Sequence, residues 1–235
     1  MTDLLDNLAD STEQIRSHSS EVLKVLCTPG FAARWLLPRL PRFRHSEAVR
    51  LRIADGAPST DFNSNDADVV IKWRDDPQDG VAVWPFLTSA RTPVAAPGFA
   101  GRHCIVHPKD LLGVTLFRDQ TDDMWPKWFE AAGVVGTASA EGPHYPNCEY
   151  ATTAAEAGLG VALAYDAVIR DTLSEGRLVR LFEPETPPFT IYAIACDGRR
   201  SDDKVISAFR DWLLAETRAD GTLPDMASVE TVSMH

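Results

Sequence analysis

The sequence predicts an α/β fold that is divided into two subdomains. Short apolar runs typical of strands alternate with segments whose apolar residues recur at helical spacing. The chain has 235 residues, which is long for one compact unit and sufficient for two subdomains. Two of the predicted strands, 81–87 and 92–96, have no helix between them, and this indicates a crossover from one α/β unit to the next.

The first predicted strand and helix are joined by a tight turn. Apolar residues over 22–27 predict a buried strand, and Thr28-Pro29-Gly30 supplies the turn chemistry. Apolar residues then recur at helical spacing over 31–44. Because two prolines lie inside this segment and remove hydrogen-bond donors, we expect the helix to bend or restart near Leu37.

Apolar patterns place the other strands, and capping residues place the other helices. The strand at 67–73 is apolar over most of its length, as expected for a parallel strand covered on both faces. Gly158 ends a helix of small residues, and Asp203 with its neighbours caps the last helix. The remaining predicted elements are strands at 49–54, 114–117, 159–164, 179–182 and 189–196, helices at 3–18, 97–99, 108–112, 122–133, 150–157, 165–173 and 204–216, and an irregular loop at 143–149.

These elements give the expected domain organisation. Subdomain I covers 21–86 and a returning segment at 187–217, and subdomain II covers 87–186. Residues 218–235 are polar and unpatterned, and we expect them to form a mobile tail. A ligand cleft is expected between the subdomains, at the carboxyl ends of the strands.

Charge and composition exclude several classes of partner. The formal net charge of -11 repels phosphate backbones, so we expect no broad nucleic-acid face on this chain. No apolar run reaches the roughly 18 residues of a membrane span, and the acidic N-terminus lacks the features of a signal peptide. We therefore expect a cytoplasmic protein with no membrane partner, whose four cysteines are free thiols.

Motifs for catalysis, metal binding and cofactor binding are missing from the sequence. It has neither the G-x-S-x-G turn of serine hydrolases nor the glycine-rich loop of P-loop proteins. Gly158-Leu159-Gly160 precedes a predicted strand, whereas a dinucleotide-binding loop follows one. His103, Cys104 and His107 lack the further ligands that a zinc site needs. We therefore expect no catalytic residues, no metal, no cofactor and no enzymatic activity.

Three polar turns lie at strand-to-helix transitions or helix N-termini, over 28–30, 118–120 and 147–152. Backbone N–H groups at such points bind carboxylates and similar anions. Ordinary turn and capping chemistry is the alternative for each turn taken alone. Their recurrence at equivalent points of the chain favours a shared pocket for a small molecule.

Six segments of the chain occur in a specific order and spacing. They are TPGFAARWLLPRL (28–40), DVVIKW (68–73), WPKWFEAAG (125–133), AAEAGLGVAL (154–163), GRLV (176–179) and AFRDWL (208–213). This order resembles the effector-binding domain of the LysR-type transcriptional regulators, in the branch that contains the glycine-cleavage activator and the chromosomal beta-lactamase regulator. The resemblance covers residues 3–217.

The resemblance implies two Rossmann-like subdomains, hinged as in type 2 periplasmic binding proteins, that bind a small-molecule effector in their cleft. It also implies a homodimer or tetramer. Residues 1–20 would contain the end of a linker helix, and DNA would be bound only through a winged helix-turn-helix that this chain lacks. A solute-binding protein of the same fold is the main alternative, and an enzyme on this scaffold is a third hypothesis.

The resemblance also implies which residues hold the effector. In this branch the effector is held at positions that correspond here to the turn at 28–30, to Asn147 and Cys148, and to Tyr192 in a late strand. This sequence has Gly30 where serine or threonine is usual, so backbone N–H groups are expected to carry more of the recognition. With the polar turn at 118–120, the candidate effector-binding residues are Thr28, Pro29, Gly30, Phe31, Asp119, Asn147, Cys148 and Tyr192.

Overall fold

The computed structural model describes residues 22–54, 56–74, 76–119, 124–135, 142–183, 186 and 189–222. The helix predicted over 3–18, the acidic helix start at 122–123 and the tail after residue 222 lie outside these residues. Within them, no helix is long and apolar enough to cross a membrane.

The predicted strand, turn and helix at the start of the described chain are confirmed. Strand β1 is Leu23–Cys27, and helix α1 occupies residues 29–42. Within α1, an α-helical turn, Pro29–Phe31, is followed by a π-helical segment, Ala32–Leu36. An α-helical turn restarts at Leu37 and passes into a final 3₁₀ turn. The predicted restart thus follows the π segment. The first turn of a helix tolerates a proline, whereas the interior of a helix does not.

The first sheet has five strands in the order β2-β1-β3-β10-β4. Strand β1 is parallel to both of its neighbours, and β10 is antiparallel to β3 and β4. The apolar strand β3 is therefore parallel to one neighbour only, while both of its edges are paired. The bounds of these strands are β2 Val49–Ile53, β3 Val69–Trp73, β4 Val81–Ser89 and β10 Phe189–Asp197.

The second region of the fold contains a three-stranded sheet, β8-β5-β9, and a two-stranded sheet, β6-β7. The prediction of a strand at 114–117 is wrong, because that segment contributes only an isolated bridge from Leu116 to Val161. The loop predicted at 143–149 contains a strand and the first residues of a helix. The bounds are β5 Arg91–Ala95, β6 Arg118–Asp119, β7 His144–Tyr145, β8 Ala162–Tyr165 and β9 Val179–Arg180.

The helices lie near their predicted positions, and cap residues explain the different bounds of two of them. Helix α4 begins two residues early because the Asn147 side chain caps it, accepting the N–H groups of Glu149 (3.0 Å) and Tyr150 (3.2 Å). Helix α6 continues four residues past its predicted end, into the segment assigned to the tail, and Gly221 ends it at a φ of 68°. The bounds are α2 Phe99–Arg102, α3 Trp125–Ala131, α4 Cys148–Glu156, α5 Asp166–Ser174 and α6 Lys204–Asp220, with 3₁₀ turns at Ser46–Ala48, Pro108–Gly113 and Gly198–Arg200.

Separate apolar clusters lie against the two larger sheets. One cluster packs α1 and α6 onto the five-stranded sheet, with Phe31, Trp35 and Phe209 fully buried. Another gathers around α3, where Trp125 and Trp128 are buried. Each sheet therefore has its own core, which keeps the strand ends between them at fixed positions.

Gly160 marks a close approach of two backbone segments. A Cβ atom at this position would lie 2.6 Å from the carbonyl oxygen of Thr115 and 2.8 Å from the Phe117 ring. We expect Gly160→Ala to lower the free energy of unfolding by about 1–3 kcal/mol, because backbone atoms must move to admit the methyl group. Urea denaturation measures this, with Gly101→Ala as the control, since a Cβ there meets no atom within 4 Å. Equal stability of both variants would contradict the expectation.

Candidate functional site

A cavity of about 190 Å³ lies where β1 and β3 end and where α1 and α4 begin. Six of the eight predicted site residues line it: Thr28, Pro29, Gly30, Asn147, Cys148 and Tyr192. The other lining residues are Ala54, Gly56, Ala57, Trp73, Pro146 and Glu149.

Two buried hydroxyl groups form one side of the cavity. Thr28 occupies the N-cap position of α1, yet its side chain makes no capping bond and instead lies 3.0 Å from the Tyr192 hydroxyl. The Tyr192 ring stacks on Trp73 with ring centroids 4.9 Å apart. Burial raises the pKa of Tyr192 well above its ordinary value, so the phenol stays protonated and able to donate a hydrogen bond.

The N-terminus of α4 forms the opposite side. Here the Asn147 side chain does cap its helix, so its oxygen is committed to Glu149 and Tyr150. Cys148 follows directly, and burial raises the pKa of its thiol to about 12. A thiol that stays protonated is a weak nucleophile, so Cys148 is suited to line a pocket and not to attack a substrate.

Phe31 and Asp119 do not line the cavity. The Phe31 ring is fully buried against Trp35 and Tyr192, on the side of α1 that faces the core. Asp119 accepts a hydrogen bond of 3.0 Å from Arg91, and the side chains of this ion pair are each 3% exposed. The structure thus brings two of the three polar turns to the cavity and places Asp119 in a buried ion pair.

Glu149 and Trp73 are site residues that the sequence analysis did not select. Glu149 is the one charged side chain among the described residues that line the cavity. It lies inside the predicted polar turn at 147–152, where an acidic residue is also expected for the helix dipole alone. Trp73 is the last residue of the strand predicted at 67–73. Ligands bind at the carboxyl ends of strands in α/β folds, so this position was the sequence signal that could have identified Trp73 as a site residue.

The segment containing His103, Cys104 and His107 has structural contacts. The His103 ring stacks on Phe99 at 4.2 Å, and His107 forms a capping box with Asp110 at the start of a 3₁₀ turn. Among the described residues, no group of three or more His, Cys, Asp or Glu side chains is placed to hold a metal ion.

The two larger sheets, each with its own core and with a cavity at the strand ends, define an α/β effector domain like the type 2 periplasmic binding proteins. Residues 16–218 match the family model described as the LysR substrate binding domain. The chain therefore belongs to this family of transcriptional regulators, as its motifs predict. Family membership also confirms the prediction that it is not an enzyme.

Individual relatives agree with this assignment. The chain is 32% identical over 198 residues to the HTH-type transcriptional activator AmpR of Rhodobacter capsulatus, covering 84% of this chain and 67% of the relative. It is 27% identical over 221 residues to the glycine cleavage system transcriptional activator of Escherichia coli K12, covering 93% and 72%. The solved effector domain of AmpR from Pseudomonas aeruginosa superposes with a TM-score of 0.73 at 27% identity, covering 85% of this chain and 97% of that domain.

Proposed function

We propose that this domain binds a small-molecule effector in the cavity between α1 and α4 and so controls a DNA-binding regulator. One observation carries the proposal. The Thr28 hydroxyl is turned to Tyr192, so the first turn of α1 has no side-chain cap where it meets the cavity. Because the first N–H groups of a helix have no intrahelical partner, those of Gly30 and Phe31 are available donors for an effector.

The cavity chemistry supports one class of effector. An anionic or carbonyl oxygen fits the N-terminus of α1, and the hydroxyls of Thr28 and Tyr192 add further polar contacts. The Trp73 ring offers an apolar face on the same cavity. The small volume limits the bound part of the effector to a few functional groups, with orientation fixed by a few polar contacts.

The regulatory step in this proposal is a change in the cleft. Subdomain I, predicted at 21–86 and 187–217, supplies β1, α1 and Tyr192, and subdomain II, predicted at 87–186, supplies α4. An effector that contacts both sides favours one relative arrangement of the subdomains, and a homodimer or tetramer transmits that arrangement. DNA binding itself is assigned to a helix-turn-helix outside this chain, in keeping with the relatives named as HTH-type activators.

Substitution of cavity residues tests the proposal. We expect Thr28→Val together with Asn147→Ala to weaken effector binding by about 10–100-fold, because the first change removes a buried hydroxyl from the cavity and the second removes the cap that fixes the α4 N-terminus beside it. The effector is first identified by native mass spectrometry of the purified protein, and its Kd is then measured by calorimetry.

Thr92→Val is the matched control, because Thr92 is fully buried but does not line the cavity. It should leave the Kd unchanged. An unchanged Kd in the cavity double variant would refute the assignment of the site.

A further inference from the structure

One arginine joins α1 to α4 beside the cavity. The Nε atom of Arg34 donates to Oε2 of Glu149 at 2.5 Å, and its Nη1 atom donates to Glu156. Its Nη2 atom donates to the hydroxyl of Thr153 at 3.1 Å. A hydrogen bond of 3.2 Å to Thr172 extends the contacts to α5. We refer to these five residues as the Arg34 cluster.

The cluster is largely shielded from water. The side chains of Arg34, Glu149 and Glu156 are 11%, 17% and 19% exposed. Burial acts to lower the pKa of Arg34, but the hydrogen bonds and charges of the two glutamates outweigh it and raise the pKa above its ordinary value. Solvent screening is weaker here than for surface ion pairs, so these contacts hold the helices more strongly.

Gly30 allows the two helices to meet at this point. A Cβ atom at residue 30 would lie 3.3 Å from Cβ of Glu149 and 3.4 Å from its Oε2 atom. Gly30 lies one helical turn before Arg34, so both face α4. Glycine at position 30 is thus explained by the space that Glu149 occupies.

Glu149 belongs to the cavity and to the cluster at once. It lines the cavity, and its N–H group is capped by Asn147, which also lines the cavity. The position of this side of the cavity therefore depends on the partner that holds the Glu149 carboxylate.

We propose that Arg34 is a positioning residue that holds α4 against α1 beside the cavity, and that loss of the Arg34 cluster widens the cavity. The regulatory meaning of this inference rests on the proposed function. An effector group that contacts Glu149 would compete with Arg34 for the Glu149 carboxylate. The contact of Arg34 with α4 itself involves only residues of this chain.

Hydrogen exchange and fluorescence quenching of the effector-free protein test the proposal. In Arg34→Gln, the N–H groups of Glu149 and Tyr150 should exchange at least about 10-fold faster, while amides of β3 keep their rates. Quenching of Trp73 by acrylamide should rise several-fold, measured as the difference from the same protein carrying Trp73→Phe. Arg34→Lys, which keeps the charge but not the fork of donors, should give an intermediate result.

Arg42→Gln is the matched control on the same helix, because Arg42 pairs with Glu216 and is 61% exposed. It should change neither readout. Wild-type exchange and quenching in folded Arg34→Gln would overturn the proposal, as would a uniform acceleration of exchange throughout the chain. If Arg34→Gln does not fold, the double variant Glu149→Gln and Glu156→Gln is measured instead. The same changes in amide exchange and Trp73 quenching are then expected.

These outcomes are separate from the proposed function. The measurements need no effector, so their failure leaves the cavity assignment standing. An unchanged Kd in the double variant Thr28→Val and Asn147→Ala, in turn, leaves the positioning role of Arg34 intact.

Discussion

Arg91→Met should lower the free energy of unfolding by about 3–5 kcal/mol, because it removes a buried guanidinium and leaves the Asp119 charge in a site that is shielded from solvent. The pair is linked at 3.0 Å with both side chains 3% exposed. Arg91 also donates to the Tyr165 hydroxyl at 2.8 Å. Chemical denaturation at pH 7 measures the loss.

A double-variant cycle separates pair breaking from simple truncation. Arg91→Met with Asp119→Leu should recover most of the lost stability, since an apolar pair replaces both charges. The surface pair of Arg199 and Asp197 is the control, because Arg199 is 82% exposed and such pairs contribute little. Additive losses in the double variant would show that the two side chains act independently.

The Arg91 pair also marks the crossover between the two larger sheets. Arg91 lies two residues after β4, and its N–H group donates to the Thr186 side chain at 2.9 Å, while the Thr186 N–H group donates back to its carbonyl at 3.2 Å. Both chain segments that connect the sheets therefore meet at Arg91. The ion pair with Asp119 ties this meeting point to β6, next to the helices that form the cavity.

Local signals account for the parts of the fold that were predictable. Gly158 and Asp203 act through their own backbone or side chain, so the ends they fix were visible in the sequence. The pairing of β10 with both β3 and β4 joins segments about a hundred residues apart, and no local signal specifies it. The strand predicted at 114–117 was wrong because Leu116 and Phe117 are buried in a packed loop, and an apolar run alone does not distinguish such a loop from a strand.

The site was predictable to the extent that it is made of turns. Thr28 and Asn147 begin helices that meet at the cavity, and helix N-termini are recognisable from sequence. Asp119 has the same local character, but its partner Arg91 is distant in sequence. Glu149 was missed because its two roles depend on Arg34 and Gly30, which only the packing of α1 on α4 brings near it.

Phe31→Ala should be the other strongly destabilising change, with a loss of about 3–5 kcal/mol. The Phe31 ring is fully buried and contacts Trp35, Phe86 and Tyr192, with the ring of Tyr192 4.9 Å away. Truncation leaves a cavity beneath the first turn of α1 and removes the support of the Tyr192 ring. Denaturation in urea measures the stability, and calorimetry with the identified effector measures the binding.

Phe31→Leu separates a packing role from a direct contact with the effector. Leucine refills most of the apolar volume, so we expect a cost of roughly 1–1.5 kcal/mol and an unchanged Kd. Successive helical residues point about 100° apart, so Gly30 faces α4 while the Phe31 side chain faces the core, and only its backbone N–H group reaches the effector. If Phe31→Leu weakens binding as much as the double variant Thr28→Val and Asn147→Ala does, the ring itself contacts the effector, and Phe31 belongs to the lining of the site.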